Sequence, residues 1–215
     1  MRRLVAVALL SVLCACASKP RAPEWQMNAH DGLERYVANA MAGNDRAAAA
    51  EFARARAELA STGDAALVAR AELTRCAVWV AALVMDPCDG FERLRADAAA
   101  AERAYADYLA GRLAPGEAEL LPVQHRAVAR AAAAPGDLQA IADPLSRLVA
   151  AGVLFRTGRA SPDVLVLATD TASAQGWRRP LLAWLGVQLR RAEAAGASNE
   201  AERLRRRIAL ATGER

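Results

Sequence analysis

Glycine and proline interrupt this chain at intervals of roughly 15 to 25 residues, and such residues mark turns between regular elements. The segments between them are dominated by alanine, leucine, arginine and glutamate, which are strong helix formers. Runs of β-branched residues, which favour strands, are few. The sequence therefore predicts an all-α fold of about eight to nine helices arranged in antiparallel pairs.

Two apolar stripes at helical spacing open the folded part of the chain, and Gly43-Asn44-Asp45 separates them. A turn between two such stripes predicts an antiparallel helical hairpin. The first stripe comprises Leu33, Val37, Ala40 and Met41, and the second comprises Ala48, Phe52, Ala55 and Leu59.

A third helix is predicted to start near Ala65, after the turn signal Thr62-Gly63-Asp64. It includes ten consecutive apolar residues from Cys76 to Met85. A helix that is apolar all round is buried all round, so this segment is interpreted as the central helix, with Trp79 in the core. The run is too short to span a bilayer.

An aromatic stripe follows Pro87 and is expected to form one helix as far as Gly111, with core packing as the first interpretation and a ligand surface as the alternative. Asp143-Pro144 and Ser161-Pro162 each have the pattern of a capped helix entry. Helices are predicted there over about 145–156 and 162–175, and a last pair over 180–195 and 198–211. The apolar face of the last helix, formed by Ala201, Leu204 and Ile208, is expected to pack inward on the preceding helix. The aromatic stripe comprises Phe91, Leu94, Ala98, Ala101, Tyr105 and Tyr108.

The Gly43-Asn44-Asp45 turn followed by Ala48, Phe52 and Ala55 resembles the second half of a tetratricopeptide repeat. Trp184-Leu185, Gly196 and Ala201 resemble it more loosely, and the first helices lack the Trp-Leu-Gly-Tyr spacing of the family. The resemblance implies a stack of degenerate helical repeats, with an irregular helical bundle as the other arrangement.

The first residues have the pattern of an export signal: Arg2 and Arg3 precede a short apolar run, and Leu13-Cys14-Ala15-Cys16 follows. This ending resembles the lipobox of bacterial lipoproteins, which implies that Cys16 is lipidated after cleavage. Cys14 is the rival acceptor, but Leu13 would then stand where a small residue is expected. The predicted organisation is a signal peptide at 1–15, a lipidated tether at 16–26 and a single helical domain at 27–215.

Cleavage after Ala15 would remove two arginines and lower the formal net charge from +4 to +2. An exported chain with so small an excess is not expected to bind nucleic acid. Acyl chains on Cys16 would hold the domain on a membrane, facing the periplasm. Because Ala17 and Ser18 follow Cys16, with no aspartate, the resemblance implies sorting to the outer membrane.

Side chains that carry catalysis are sparse in this sequence. Neither His30 nor His125 has a second histidine at helical spacing, and no Cys-x-x-Cys pair, phosphate loop or nucleophile motif is present. Asp31 is interpreted as the N-cap of the first helix and His125 as a solvated side chain. The chain is therefore predicted to be no enzyme and to use no cofactor or metal.

Cys76 and Cys88 are the cysteines left in the predicted domain, and the oxidising periplasm favours a disulfide between them. The bond requires the third helix to end early, near Ala82. If the helix continued to Met85, the three residues from there to Cys88 would have to lead back along more than two helical turns to reach Cys76. Two buried free thiols are the alternative.

Function is predicted only at the level of class. The plan of anchor, tether and helical domain favours a non-catalytic scaffold that binds another envelope protein. A carrier of a lipid or small apolar ligand is the alternative, to be distinguished by a closed apolar cavity instead of a polar concave face. A wall hydrolase is the third and least favoured class. Arg203, Arg206 and Arg207 on the last helix are the candidate docking residues for an acidic partner, with a merely solvated helix as the alternative.

Overall fold

The computed structural model describes residues 22–130 and 135–213. Within them the chain forms eleven α-helices and one 3₁₀ helix, with no strand, which confirms the predicted all-α class. The total of eleven is slightly above the predicted eight to nine, and nine of these helices have seven or more residues. The two additional helices, α4 and α7, are short. The predicted signal peptide and Cys16 lie outside the described residues.

The first five helices are α1 (Glu24–Ala42), α2 (Asp45–Ala60), α3 (Ala65–Ala81), α4 (Asp89–Glu92) and α5 (Ala100–Leu109). The 3₁₀ helix (Glu117–Leu120) precedes α6 (Val123–Ala129), α7 (Pro135–Gln139) and α8 (Pro144–Arg156). The last three are α9 (Pro162–Ala174), α10 (Arg178–Ala194) and α11 (Ser198–Thr212).

α1 and α2 form the predicted hairpin, and the turn depends on Gly43, whose φ of 87° is in the left-handed region that glycine adopts without strain. The start of α1 was predicted too late. It begins at Glu24, so that Asp31 lies in the middle of the helix and does not cap it. His30, beside it, is exposed and lies 3.3 Å from Glu34.

Helix caps further along the chain follow the predicted chemistry. The Asp64 carboxylate accepts hydrogen bonds from the first backbone amides of α3. Asp143 accepts one from Ser146 N, and Ser161 accepts one from Val164 N, each with a proline at the first helical position.

The central helix is shorter than the apolar run that predicts it. α3 ends at Ala81, and Leu83 adopts a φ of 58°, which turns the chain away from the helix axis. The buried Trp184 indole donates its Nε1–H to the Ala81 carbonyl at 3.1 Å, so a side chain from α10 satisfies a carbonyl at this helix end. Hydrophobicity alone predicted a continuation to Met85 because the residues after Ala81 are equally apolar.

The predicted helix from Phe91 to Gly111 is also divided. α4 covers only its start, and a turn region separates α4 from α5. Phe91 and Tyr108 are buried, as the core interpretation predicts, whereas Tyr105 is half-buried. In the described part of the chain, no helix is both long and apolar enough to cross a bilayer.

Packing between distant helices closes the structure into a bundle. α3 packs on α8 and α10 packs on α1, whereas in a linear stack of repeats each unit contacts only its neighbours. An irregular helical bundle, the second arrangement that the sequence allows, therefore describes these contacts better than a linear repeat stack. α8 approaches α3 closely at Gly152, where an added Cβ would lie 2.3 Å from the Val80 carbonyl oxygen.

A smaller apolar cluster holds the C-terminal hairpin together. Ala201 and Leu204 of α11 are buried against Leu185 and Ala192 of α10, and Ile208 packs on the same cluster. The inward face predicted for the last helix is therefore correct.

Candidate functional site

Two cavities lie on opposite faces of α3, and together they form the candidate functional region. The first, the arginine cavity, has a volume of about 830 Å³ and is lined by residues from α1 to α4 together with Arg179 of α10. The second, the apolar cavity, has a volume of about 500 Å³ and is lined by α3, α5, α8 and the segment around the 3₁₀ helix. Both volumes are within the usual range for ligand pockets, roughly 300 to 1,000 Å³.

A buried carboxylate is central to the arginine cavity. Glu72 is only 3% exposed, and two arginines neutralise it. Arg56 Nε donates to Glu72 Oε1 at 2.9 Å, and Arg75 Nη2 lies 2.6 Å from Glu72 Oε2. Gly90 of α4 lies directly against this pair, where an added Cβ would be 2.1 Å from Glu72 Oε2. The ion pairs and the close approach of α4 therefore depend on each other.

Aromatic rings hold the Arg75 guanidinium in the wall of the arginine cavity. Its central carbon lies 4.7 Å from the Phe52 ring centroid and 5.0 Å from that of Trp79, both within cation–π range. Trp79 is half-buried and lines the cavity, so its interpretation as a core residue was wrong.

The Tyr36 hydroxyl lies among these charges. Tyr36 is 3% exposed, and among the described residues its hydroxyl has no hydrogen-bond partner. Burial raises the pKa of this phenol well above its usual value, and the positive charges of Arg75 and Arg179 partly oppose the shift. The phenol is therefore a neutral donor at physiological pH.

Arg179 brings α10 to the edge of the same cavity. Its Nε donates to the Ala40 carbonyl at 2.8 Å, and its guanidinium also pairs with Asp45. Arg93, on the turn after α4, is exposed and lines the cavity as well. Four arginines thus face two carboxylates in the lining, which leaves a cationic excess.

The apolar cavity has a different chemistry. Its wall is formed mainly by leucine, alanine, valine and tyrosine side chains, and an ion pair between Arg70 Nε and Glu102 Oε1 at 2.7 Å lies at its edge. Burial is the largest single influence on Glu102 and would raise its pKa. The hydrogen bond from Arg70, backbone hydrogen bonds and the positive charge of Arg70 together outweigh burial and lower the pKa. Leu120 is 41% exposed on the rim. The principal apolar residues of the wall are Leu73, Ala77, Tyr105, Leu121, Leu145 and Val149.

A buried histidine supports the wall of the apolar cavity from behind. His125 of α6 is 1% exposed, so its interpretation as a solvated residue was wrong. Its Nδ1 lies 3.4 Å from the Tyr108 hydroxyl, and its ring centroid lies 5.6 Å from that of Tyr105. Burial lowers the pKa of His125 to about 4, although the negative charge of Asp143 acts in the opposite direction. α6 packs on α8 and so turns this residue inward.

The two predicted disulfide cysteines are brought together. The structure has a disulfide between Cys76 and Cys88, whose Cα atoms lie 5.8 Å apart. The early end of α3 at Ala81 is the condition that the sequence placed on this bond. The bridge ties the start of α4 to α3 and thereby positions Gly90 and Arg93 at the arginine cavity.

The predicted docking arginines lie elsewhere, on α11. Arg203 pairs with Glu200 at 2.8 Å and Arg206 lies 3.9 Å from Glu202, both as exposed intrahelical pairs, and Arg207 is half-buried. None of the three is among the residues that line the two cavities.

The residues that form the arginine cavity were missed by sequence reasoning. Tyr36, Glu72 and Arg179 lie on three different helices, so no local spacing connects them. One signal was available, because Glu72 and Arg75 stand on one face of a helix otherwise predicted to be buried, and buried charges are paired. No family model matches the chain, and no curated protein or solved structure is significantly similar to it.

Proposed function

We propose that this chain is a lipid-anchored lipoprotein of the bacterial envelope, held at the outer membrane through Cys16 with its domain in the periplasm. The helical domain acts there as a non-catalytic scaffold that binds another envelope protein. The anchor rests on the lipobox-like Leu13-Cys14-Ala15-Cys16 sequence, and the binding role rests on the arginine cavity.

The observation that carries the binding role is the charged lining of that cavity. Charges in it are arranged by neighbouring side chains, since Glu72 holds two arginines and two aromatic rings hold one of them. Preorganised arginines with aromatic neighbours are typical of residues that dominate protein interfaces. A polar concave surface of this kind favours the scaffold over the carrier.

Photocrosslinking in intact cells tests the scaffold. A photoreactive phenylalanine in place of Ala53, an exposed residue of α2 that lines the arginine cavity, should give one major adduct with an envelope protein. The matched control replaces Ala50, which is exposed on the same helix but is not among the cavity residues. Adducts of equal yield at both positions, or none at Ala53, would contradict the proposal.

The apolar cavity supports a second function, the carriage of a small apolar ligand. Its wall is formed largely by hydrocarbon side chains, and the Arg70–Glu102 ion pair lies at its edge. Such a cavity suits a small ligand that is mainly apolar. Native mass spectrometry of the protein extracted from membranes tests this alternative. A bound lipid that is lost when Ala77 is replaced by Leu, which fills the cavity, would favour the carrier.

A further inference from the structure

We propose that the arginine cavity binds a carboxylate on an acidic, partly apolar segment of the partner protein, with Arg75 and Tyr36 as the groups that it contacts. This inference rests on the proposed scaffold function and adds the chemistry of the partner. Both side chains are among the residues that line the cavity.

Charge complementarity is the first argument. Among the described residues of the lining, the charged side chains are Arg56, Arg75, Arg93 and Arg179 against Glu72 and Asp45. Glu72 already shares two of these arginines and shows that a carboxylate fits among them. One further carboxylate would neutralise part of the remaining positive charge.

The fixed position of Arg75 is the second argument. Its guanidinium is stacked on Phe52 and Trp79 and is tethered to Glu72 through one terminal nitrogen. A guanidinium held in one plane loses little side-chain entropy when it binds an anion. Arg75 is therefore preorganised to bind a carboxylate that enters the cavity.

The Tyr36 hydroxyl is the third argument, and it is independent of charge. A buried hydroxyl without a partner costs roughly 1 to 3 kcal/mol, so native structures rarely keep one without a reason. This hydroxyl is buried in a residue that lines the cavity, near Arg75 and Arg179. A bound carboxylate oxygen would accept its hydrogen bond.

The remaining wall indicates the rest of the ligand. Small and apolar side chains form the rest of the lining, so a free inorganic anion would leave much of the cavity unfilled. An acidic side chain flanked by apolar residues would use both parts. The apolar part of the wall is formed by Ala40, Ala48, Ala49, Phe52, Val78 and Leu94.

The test uses the full chain, purified from membranes in mild detergent, and a fluorescein-labelled peptide of alternating leucine and glutamate. A second peptide has glutamine in place of every glutamate. We expect the glutamate peptide to bind at least about ten-fold more tightly, because only it carries the anion that the arginines recognise. Inorganic phosphate and phosphatidylglycerol vesicles are added as competitors and should displace the peptide only weakly.

Two variants locate the binding. Tyr36→Phe removes one hydroxyl and should weaken binding of the glutamate peptide by about five-fold, the usual value of one hydrogen bond. It should unfold at the same temperature as the wild type or a higher one, so a loss of binding is not a loss of folding. Arg93→Gln should also weaken binding, whereas Arg203→Gln, the matched loss of an exposed arginine on α11, should change it less than two-fold.

Several results would overturn the inference. They are the absence of binding by the glutamate peptide, equal binding of both peptides, wild-type binding by Tyr36→Phe and Arg93→Gln, or full displacement by millimolar phosphate or by the vesicles. If Ala53 still crosslinks to a partner in cells, any of these results refutes the carboxylate and leaves the scaffold intact. Peptide binding without a cellular adduct would refute the scaffold instead.

Discussion

The arginine cavity and the apolar cavity share one helix and differ in almost every other respect. α3 presents Glu72, Arg75 and Trp79 to the first, and Leu73 and Ala77 to the second. On the first side, ion pairs and a disulfide hold the wall, whereas on the second side hydrocarbon packing and a buried histidine do so. α3 thus supports a charged surface on one side and an apolar surface on the other.

The difference also shows how each wall can fail. Charged walls depend on the position of a few atoms, because an arginine that moves away leaves a buried carboxylate unpaired. Apolar walls depend on filled volume and tolerate small shifts. Changes at the common support should therefore damage both cavities, and changes on one side should damage one of them.

The largest effect is expected at the crossing of α3 and α8. Gly152→Ala places a Cβ against the Val80 carbonyl, a backbone atom that cannot rotate away, and should lower the free energy of unfolding by about 3 kcal/mol or more. Both cavities should be disturbed, because Val149 on the same helix lines the apolar cavity and Trp79, next to Val80 on α3, lines the arginine cavity. Chemical denaturation measures the change.

Gly186→Ala is the matched control for that substitution. This residue lies inside α10, where the nearest atom to an added Cβ is a flexible Arg190 nitrogen at 3.5 Å. The change should stabilise the protein by about 0.5 to 1 kcal/mol, because alanine is the better helix former. Equal effects of the two substitutions would contradict the close approach of α3 and α8.

Loss of the disulfide has the second-largest expected effect and should affect the arginine cavity alone. Replacing Cys76 and Cys88 with alanine should cost about 2 to 3 kcal/mol of unfolding free energy, since the bridge closes a short loop in the unfolded chain. Because the bridge positions α4, binding in the arginine cavity should weaken while the apolar cavity is retained. Thermal unfolding with and without reductant provides the measurement.

Reductant should lower the unfolding temperature of the wild type and leave the double alanine variant unchanged. Thiol titration of the denatured, unreduced protein gives an independent result, because two free thiols from Cys76 and Cys88 would refute the bridge.

Acidification should act on the other side of α3. The pKa of His125 is lowered to about 4 from 6.5, so its neutral form stabilises the fold above pH 6.5 and this contribution is lost as the pH falls towards 4. The loss should be about 2 kcal/mol by pH 5. Charge on His125 would form between Tyr105 and Tyr108, with Asp143 as the nearby acidic group that reduces the cost.

His125→Gln isolates this effect, because it keeps an acceptor for Tyr108 but does not titrate. Unfolding free energies measured between pH 4.5 and 7.5 should fall more steeply for the wild type than for the variant. Parallel curves would show that protonation of His125 does not control the apolar side.

The smallest effect is expected on α11. Arg203, Arg206 and Arg207 changed together to Glu should leave the unfolding midpoint almost unchanged, because the pairs on this helix are exposed and intrahelical. If the arginine cavity is the docking site, partner capture should fall by no more than about three-fold at physiological salt, through long-range charge alone. A complete loss of capture in the folded variant would assign docking to α11.

Local patterns predicted much of the fold. The turn at Gly43, the caps at Asp143 and Ser161, and the buried face of Ala201 and Leu204 follow from spacing and capping within a single helix or turn. The end of α3 could not be predicted in this way. Residues on both sides of Ala81 are equally apolar, and part of what satisfies that helix end is an indole from α10.

In the candidate site, too, some features follow from the sequence and others depend on packing between helices. Cys76 and Cys88 could be paired from the sequence because few cysteines were available, and the required end of the helix could be stated in advance. His125 was wrongly predicted to be exposed to solvent, because its neighbours Gln124 and Arg126 are polar. The packing of α6 on α8 turns its side chain inward.

By itself the sequence determined the helical class, the first hairpin and the inward face of the last helix, because hydrophobic periodicity, caps and turns act over a few residues. The tertiary structure alone decided that Tyr36, Glu72, Arg75 and Arg179 meet at one cavity. These residues come from α1, α3 and α10, and their encounter depends on how α10 packs against α1. Contacts between distant segments are decided by the packing of whole helices, and no short pattern in the chain encodes them.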